Sequence, residues 1–163
     1  VDTVYLGVFD RAAIESVGLF DETLIRNQDY ELNIRLRDAG GTVWFDPTLS
    51  VGYRPRSTWS ALARQYYEYG WWKAVVLRKH PHSLKLRQLI PPVGIVGVVL
   101  GLMIGTRWRP ALIVPVAYVA AIAGSVRTSA ARLQTSALLP VVHAAWTTGV
   151  VRSMLSQSDG RKR

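Results

Sequence analysis

The apolar positions change character midway along the chain. As far as Tyr53 they come in short runs, and three of these, residues 1–9, 42–46 and 49–53, read as extended strands. Helical patterns lie between them. Arg11 to Val17 has helical composition, with Asp10 placed to cap it and Gly18 to end it. The stretch from Asn27 to Gly41 predicts a second helix, in which Leu32 and Leu36 stand one turn apart and supply a buried edge. Asp29 falls near its start, where a carboxylate can cap free N–H groups and meets the positive end of the dipole. Gly40-Gly41 stops it.

Beyond the connector Arg54-Pro55-Arg56, Ser57 or Thr58 is placed to cap a long helix running from Trp59 to about Arg78. That helix carries Trp59, Tyr66, Tyr67, Tyr69, Trp71 and Trp72, residue types favoured where apolar surface meets water. Lys73, Arg78, Lys79, Lys85 and Arg87 then form a basic collar. Leu89 to Thr106 and Ala111 to Val126 are two uncharged apolar spans joined by the turn Arg107-Trp108-Arg109-Pro110. The pattern predicts a helical hairpin through a membrane; the alternative is a buried hairpin of a soluble protein. Ala137 to Leu155 predicts an interfacial amphipathic helix or a third crossing, and residues 156–163 a basic, disordered tail.

Charge refines this picture. The net charge of +9 would suit nucleic acid, but the basic residues flank apolar spans instead of gathering on one polar unit. A lipid bilayer is the expected partner, and nucleic acid is not. The collar outweighs the two arginines of the hairpin turn, which puts the first half on the cytoplasmic side of the plasma membrane. Cysteine is absent, so the chain has neither disulfides nor thiolate metal sites. Val1 opens what reads as the middle of a protein, and a fragment is expected.

Several chemistries have no signature here. There is no phosphate-binding glycine loop and no nucleophile elbow. His80, His82 and His143 stand at spacings that build no metal cluster, so no metal ligands are assigned. Gly94, Gly97, Gly101 and Gly105 recur along the first apolar span, a pattern for close helix packing in lipid.

The carboxylates remain, and with them a resemblance. Gly18-Leu19-Phe20-Asp21-Glu22, then Asp29-Tyr30-Glu31-Leu32 with Arg35 and Gly40-Gly41, resemble the acceptor half of an inverting family 2 glycosyltransferase. Arg64-Gln65-Tyr66-Tyr67-Glu68-Tyr69-Gly70-Trp71-Trp72-Lys73 and the later His143, Trp146 and Gly149 are similar to the membrane-bound succinoglycan-type members. The order of these motifs covers nearly the whole chain. The resemblance implies an α/β fold, the acceptor half of a Rossmann-like GT-A domain over residues 1–58. An aromatic and basic interfacial segment (59–88), two transmembrane helices (89–126), the third helix (127–155) and the tail (156–163) would follow.

The resemblance also implies roles. Asp29 becomes the general base that deprotonates an acceptor hydroxyl; the bland reading is a plain helix cap. Gln28, Gln65 and Trp72 would bind acceptor, with interfacial anchoring an equal alternative for Trp72. Arg54, Arg56 and Arg64 are the weaker candidates for meeting a diphosphate. Two departures stand out: Gln28 occupies a position where the family usually has Glu, and Glu68 stands where processive synthases have Arg. Glu31 is expected to pair with Arg35 at i,i+4. The partners implied are a nucleotide-sugar donor and a glycan or lipid-linked acceptor. A divalent cation, Mg2+ or Mn2+, is expected in the full-length enzyme, but this chain has no D-x-D to hold it. The alternative function is a non-catalytic membrane adaptor with a degenerate transferase-like domain.

Overall fold

The computed structural model describes residues 1, 7–52, 54, 56–125 and 132–156. Six α-helices organise them: α1 (Arg11–Ser16), α2 (Gln28–Asp38), α3 (Trp59–Lys79), α4 (Ile90–Gly105), α5 (Ile113–Ser125) and α6 (Arg132–Leu155). The α/β expectation fails, because no strand occurs among the described residues. A strand exists only through ladder hydrogen bonds to a neighbour, and among the described residues these runs have no such neighbour. Residues 42–46 and 49–52 are irregular, and the Val1 ammonium donating to the Val43 carbonyl at 2.9 Å is one contact, not a ladder. Residues 2–6 and 53 of the expected strands lie outside the described residues.

The local signals for helices hold. The Asp10 carboxylate accepts from the Ala13 N–H at 2.8 Å, and the Thr58 hydroxyl accepts from the Ala61 N–H at 3.2 Å. Gly18 and Gly40 both adopt positive φ after their helices, as chain reversal there requires. The small core of the polar half joins Leu24, Ile34 and Val76, with Tyr30, Trp72 and Val75 packed around it. It docks α2 on α3.

The long helix α3 has two working faces. Gln65, Tyr69, Trp72 and Val76 recur at helical spacing toward α2, while Gly70 and Arg78 meet α6. The α3–α6 contact is the most extensive between any two elements. Arg78 closes it by donating to the Ser153 carbonyl and hydroxyl, each at 3.2 Å.

The glycine repeat of α4 packs on α5 and the turn before it. Gly94 faces Tyr118, Gly97 faces Val114, Gly101 faces Pro115 and the Ala111 carbonyl, and Gly105 faces Leu112. The outer surface of this hairpin is apolar and exposed, with Val93, Val96, Val99, Met103 and Ile104 on α4 and Ile113, Val116 and Val119 on α5. Among the described residues one stretch, Leu86–Gly105, is long and apolar enough to cross a membrane. With 13 residues, α5 rises only about 20 Å, short of the roughly 30 Å hydrocarbon core. Among the described residues, length alone supports one crossing. The tail at 157–163 lies outside the described residues.

Candidate functional site

The start of α2 is held against the middle of α3 by a group of polar contacts. Arg26 pairs with Glu68 through its Nε at 2.6 Å, and its guanidinium lies 5.6 Å from the centre of the Tyr69 ring. The Asn27 amide reaches the Tyr69 carbonyl at 3.4 Å. Asn27 is the N-cap residue, in the left-handed region (φ 63°). Gln28 turns its amide back onto the Leu24 carbonyl, and Gln65 donates to the Tyr69 hydroxyl at 2.8 Å. The turn before Asp29 and the Gln65–Tyr69 turn of α3 thus lie side by side.

Asp29 itself is exposed in the first turn of α2. Its carboxylate makes no hydrogen bond or ion pair with the described residues, and Asn27 holds the cap position without a side-chain bond to the N–H groups of α2. The acid two residues on is its opposite. Glu31 is buried and accepts the Arg35 guanidinium at 2.8–3.0 Å and a ring nitrogen of His80 at 2.8 Å. Burial pushes the Glu31 carboxyl up, but the hydrogen bonds from Arg35 and His80 outweigh it and leave the group below its ordinary value. Arg35 also donates to the Val17 and Leu19 carbonyls, so the Glu31–Arg35 pair ties α2 to the turn that follows α1.

The remaining expected site residues divide. Gln28 and Gln65 stand by the Asp29 turn with their amide donors engaged within the protein. Trp72 packs on the Leu24–Ile34–Val76 core. Arg64 pairs with Glu68 at 3.2 Å while staying largely exposed. Arg54 and Arg56 are exposed on the connector before α3. Glu68, at the position where processive synthases carry Arg, bridges Arg26 and Arg64.

Asp21, the acid of the preceding turn, is taken by Lys79 and Thr23, and Glu31 by Arg35 and His80. Neither of these two carboxylates joins Asp29. Spacing along the chain did conceal one grouping: Asp38 and His82 approach to 3.0 Å, with His80 beside them, although 42 residues separate Asp38 from His80. Only the docking of α2 on the end of α3 brings them together.

The chain also has measurable relatives. Over 160 residues it is 32% identical to the succinoglycan biosynthesis protein ExoA of Rhizobium meliloti (strain 1021), a match covering 93% of this chain and 46% of that protein. Over 79 residues it is 34% identical to the dolichyl N-acetyl-alpha-D-glucosaminyl phosphate 3-beta-D-2,3-diacetamido-2,3-dideoxy-beta-D-glucuronosyltransferase of Methanococcus voltae, covering 48% of this chain and 25% of that enzyme. No family model and no solved structure matches. The chain resembles family 2-type glycosyltransferases of the exopolysaccharide kind, and it spans less than half the length of either relative.

Proposed function

We propose that this chain is the acceptor-side and membrane-proximal part of a glycosyltransferase, which moves a sugar from a nucleotide-sugar donor to a polysaccharide or lipid-linked acceptor with inversion. Similarity to a succinoglycan biosynthesis protein and to a glycuronosyltransferase supports the class of reaction. The observation that carries the role of Asp29 is its contrast with Glu31. Glu31 is buried and saturated by Arg35 and His80, whereas Asp29 is exposed beside the Gln65–Tyr69 turn with its carboxylate uncommitted.

In this reading Asp29 accepts the proton of an acceptor hydroxyl as that oxygen attacks the anomeric carbon. The bond to the nucleoside diphosphate breaks in the same displacement, so one base suffices. Gln28 and Gln65 flank the acceptor, with Arg64 and the connector arginines Arg54 and Arg56 nearby in sequence for a diphosphate. The divalent cation expected on the diphosphate would take its ligands from outside this chain. The helix α4 is the anchor, α5 packs back along it, and the basic collar holds the Asp29 side in the cytoplasm.

The test is transfer of labelled sugar by membranes carrying the full-length gene product. Asp29→Asn is expected to abolish transfer while expression and membrane insertion stay normal. Turnover by that variant at the unsubstituted rate would remove Asp29 from the mechanism.

A further inference from the structure

The outer end of α2 and the turn after α3 carry a second constellation. Asp38 is the last residue of α2; His80 and His82 bracket Pro81 in the connector that leads from α3 toward the apolar hairpin. One ligand-type atom from each of the three lies within 4.8 Å of the other two, and the His82 Nε2 stands 3.0 Å from the Asp38 carboxylate. The rings of His80 and His82 meet edge to face with centroids 6.0 Å apart.

We propose that Asp38, His80 and His82 bind a transition-metal ion of the Zn2+ class, which staples the C-terminal end of α2 to the α3–α4 connector.

Four features of the site support this. First, two imidazoles and one carboxylate form a donor set suited to Zn2+; Mg2+ and Ca2+ prefer all-oxygen shells. Second, the buried Glu31 carboxylate holds the Nε2 of His80 at 2.8 Å. A carboxylate on one imidazole nitrogen fixes the tautomer and directs the other nitrogen to a metal. Third, the site is open: the side chains of His82 and Asp38 are 59% and 50% exposed, so water can complete a tetrahedral shell. Zinc bonds of about 2 Å place ligand atoms somewhat over 3 Å apart, which small rotations of these two exposed side chains reach. Fourth, the neighbouring cations are committed elsewhere. Arg35 is bound to Glu31, and Lys79 to Asp21. The site lies on a different side of the Glu31–Arg35 pair from the exposed Asp29 and does not depend on the transferase reading.

The experiment uses the untagged chain in detergent micelles, stripped of metal and titrated calorimetrically with Zn2+, with Co2+ as a spectroscopic probe. The expected result is one Zn2+ per chain, visible ligand-field bands of a tetrahedral Co2+ site, and a raised unfolding temperature on Zn2+ addition. His82→Ala and Asp38→Asn alter exposed side chains, so the fold survives, and each weakens Zn2+ binding at least tenfold. His143→Ala, on α6, leaves binding unchanged. Absence of stoichiometric binding, or equal affinity in the His82 and Asp38 variants, overturns the site. Displacement of Zn2+ by Mg2+ at comparable concentration overturns its assignment to a transition metal.

Discussion

Gly70 of α3 and Trp146 of α6 meet backbone to backbone: a Cβ built on Gly70 would run into the Trp146 carbonyl. The arrangement is reciprocal, because a Cβ on Gly149 would run into the Tyr67 carbonyl and the Trp71 amide. Two glycines, 79 positions apart, thus let the two longest helices touch along their axes. In sequence they belong to Tyr69-Gly70-Trp71 and to the His143, Trp146, Gly149 set. The structure shows that these two motifs are one packing device.

Alanine at either glycine separates what genetics would call a helix-friendly change from its packing cost. Gly→Ala inside an exposed helix gains about 1 kcal/mol from propensity. Here the added methyl meets backbone, which cannot rotate away, and overpacking costs about 1–3 kcal/mol or more. Gly70→Ala and Gly149→Ala are therefore expected to lower stability, whereas Gly124→Ala, with nothing near its Cβ, is neutral or stabilising. Denaturant unfolding of the micellar protein, followed by Trp fluorescence, measures all three. A stabilised Gly70→Ala would contradict the close approach.

The two acids of the α2 start separate in opposite directions. Glu31→Gln leaves Arg35 and the ring of His80 without their common carboxylate in a site where Glu31 is only 3% exposed. Breaking a buried pair from one side costs roughly 3–5 kcal/mol, and the partial exposure of Arg35 places this case at the lower end. Asp29→Asn changes an exposed group and leaves stability within about 0.5 kcal/mol. Side-by-side unfolding curves decide. If the Asp29 variant were the less stable of the two, its side chain would be structural.

The helices were legible because their signals are local. Asp10, Thr58, Gly18, Gly40 and the i,i+4 pairing of Glu31 with Arg35 each act within a turn or two of chain, and each holds. The strands were not legible as strands, since Thr42 to Phe45 has the residue types of a sheet but no ladder partner among the described residues. Trp72 reads from sequence as an acceptor-binding residue or an interfacial anchor; its partly buried packing against Leu24, Ile34 and Val76 depends on the docking of α2 on α3, which no local signal carries. The Asp38–His80–His82 group was hidden because more than forty positions separate Asp38 from the two histidines, and its Glu31 support comes from two turns earlier on the same face of α2.

The membrane arrangement predicts a labelling pattern. The chain has no cysteine, so single cysteines report location without background. If α4 crosses the bilayer with the collar inside, Thr106→Cys, at the far end of α4, reacts with a membrane-impermeant maleimide added to intact cells. Ser57→Cys, just before α3, reacts only after the cells are opened. Equal reaction of both positions in intact cells would place α4 along the surface.

Acid should loosen the turn between α1 and α2 before it touches the apolar hairpin. Asp21 is held to about 2, from an ordinary value of 3.8, chiefly by the Lys79 ammonium that donates to it and then by the Thr23 hydroxyl. The folded-state value is the lower one, so protons bind more tightly to the unfolded chain. The stabilisation is complete above about pH 4 and is lost as pH falls toward 2. The pair is partly exposed, which keeps its contribution modest and makes it sensitive to salt. Asp21→Asn removes the carboxyl, and the variant should be less stable than the parent at neutral pH yet approach it between pH 4 and 2. Unfolding midpoints at a series of pH values, in low and high salt, give the comparison. Parallel curves for the two proteins down to pH 2 would mean that Lys79 does not hold Asp21 in the folded state.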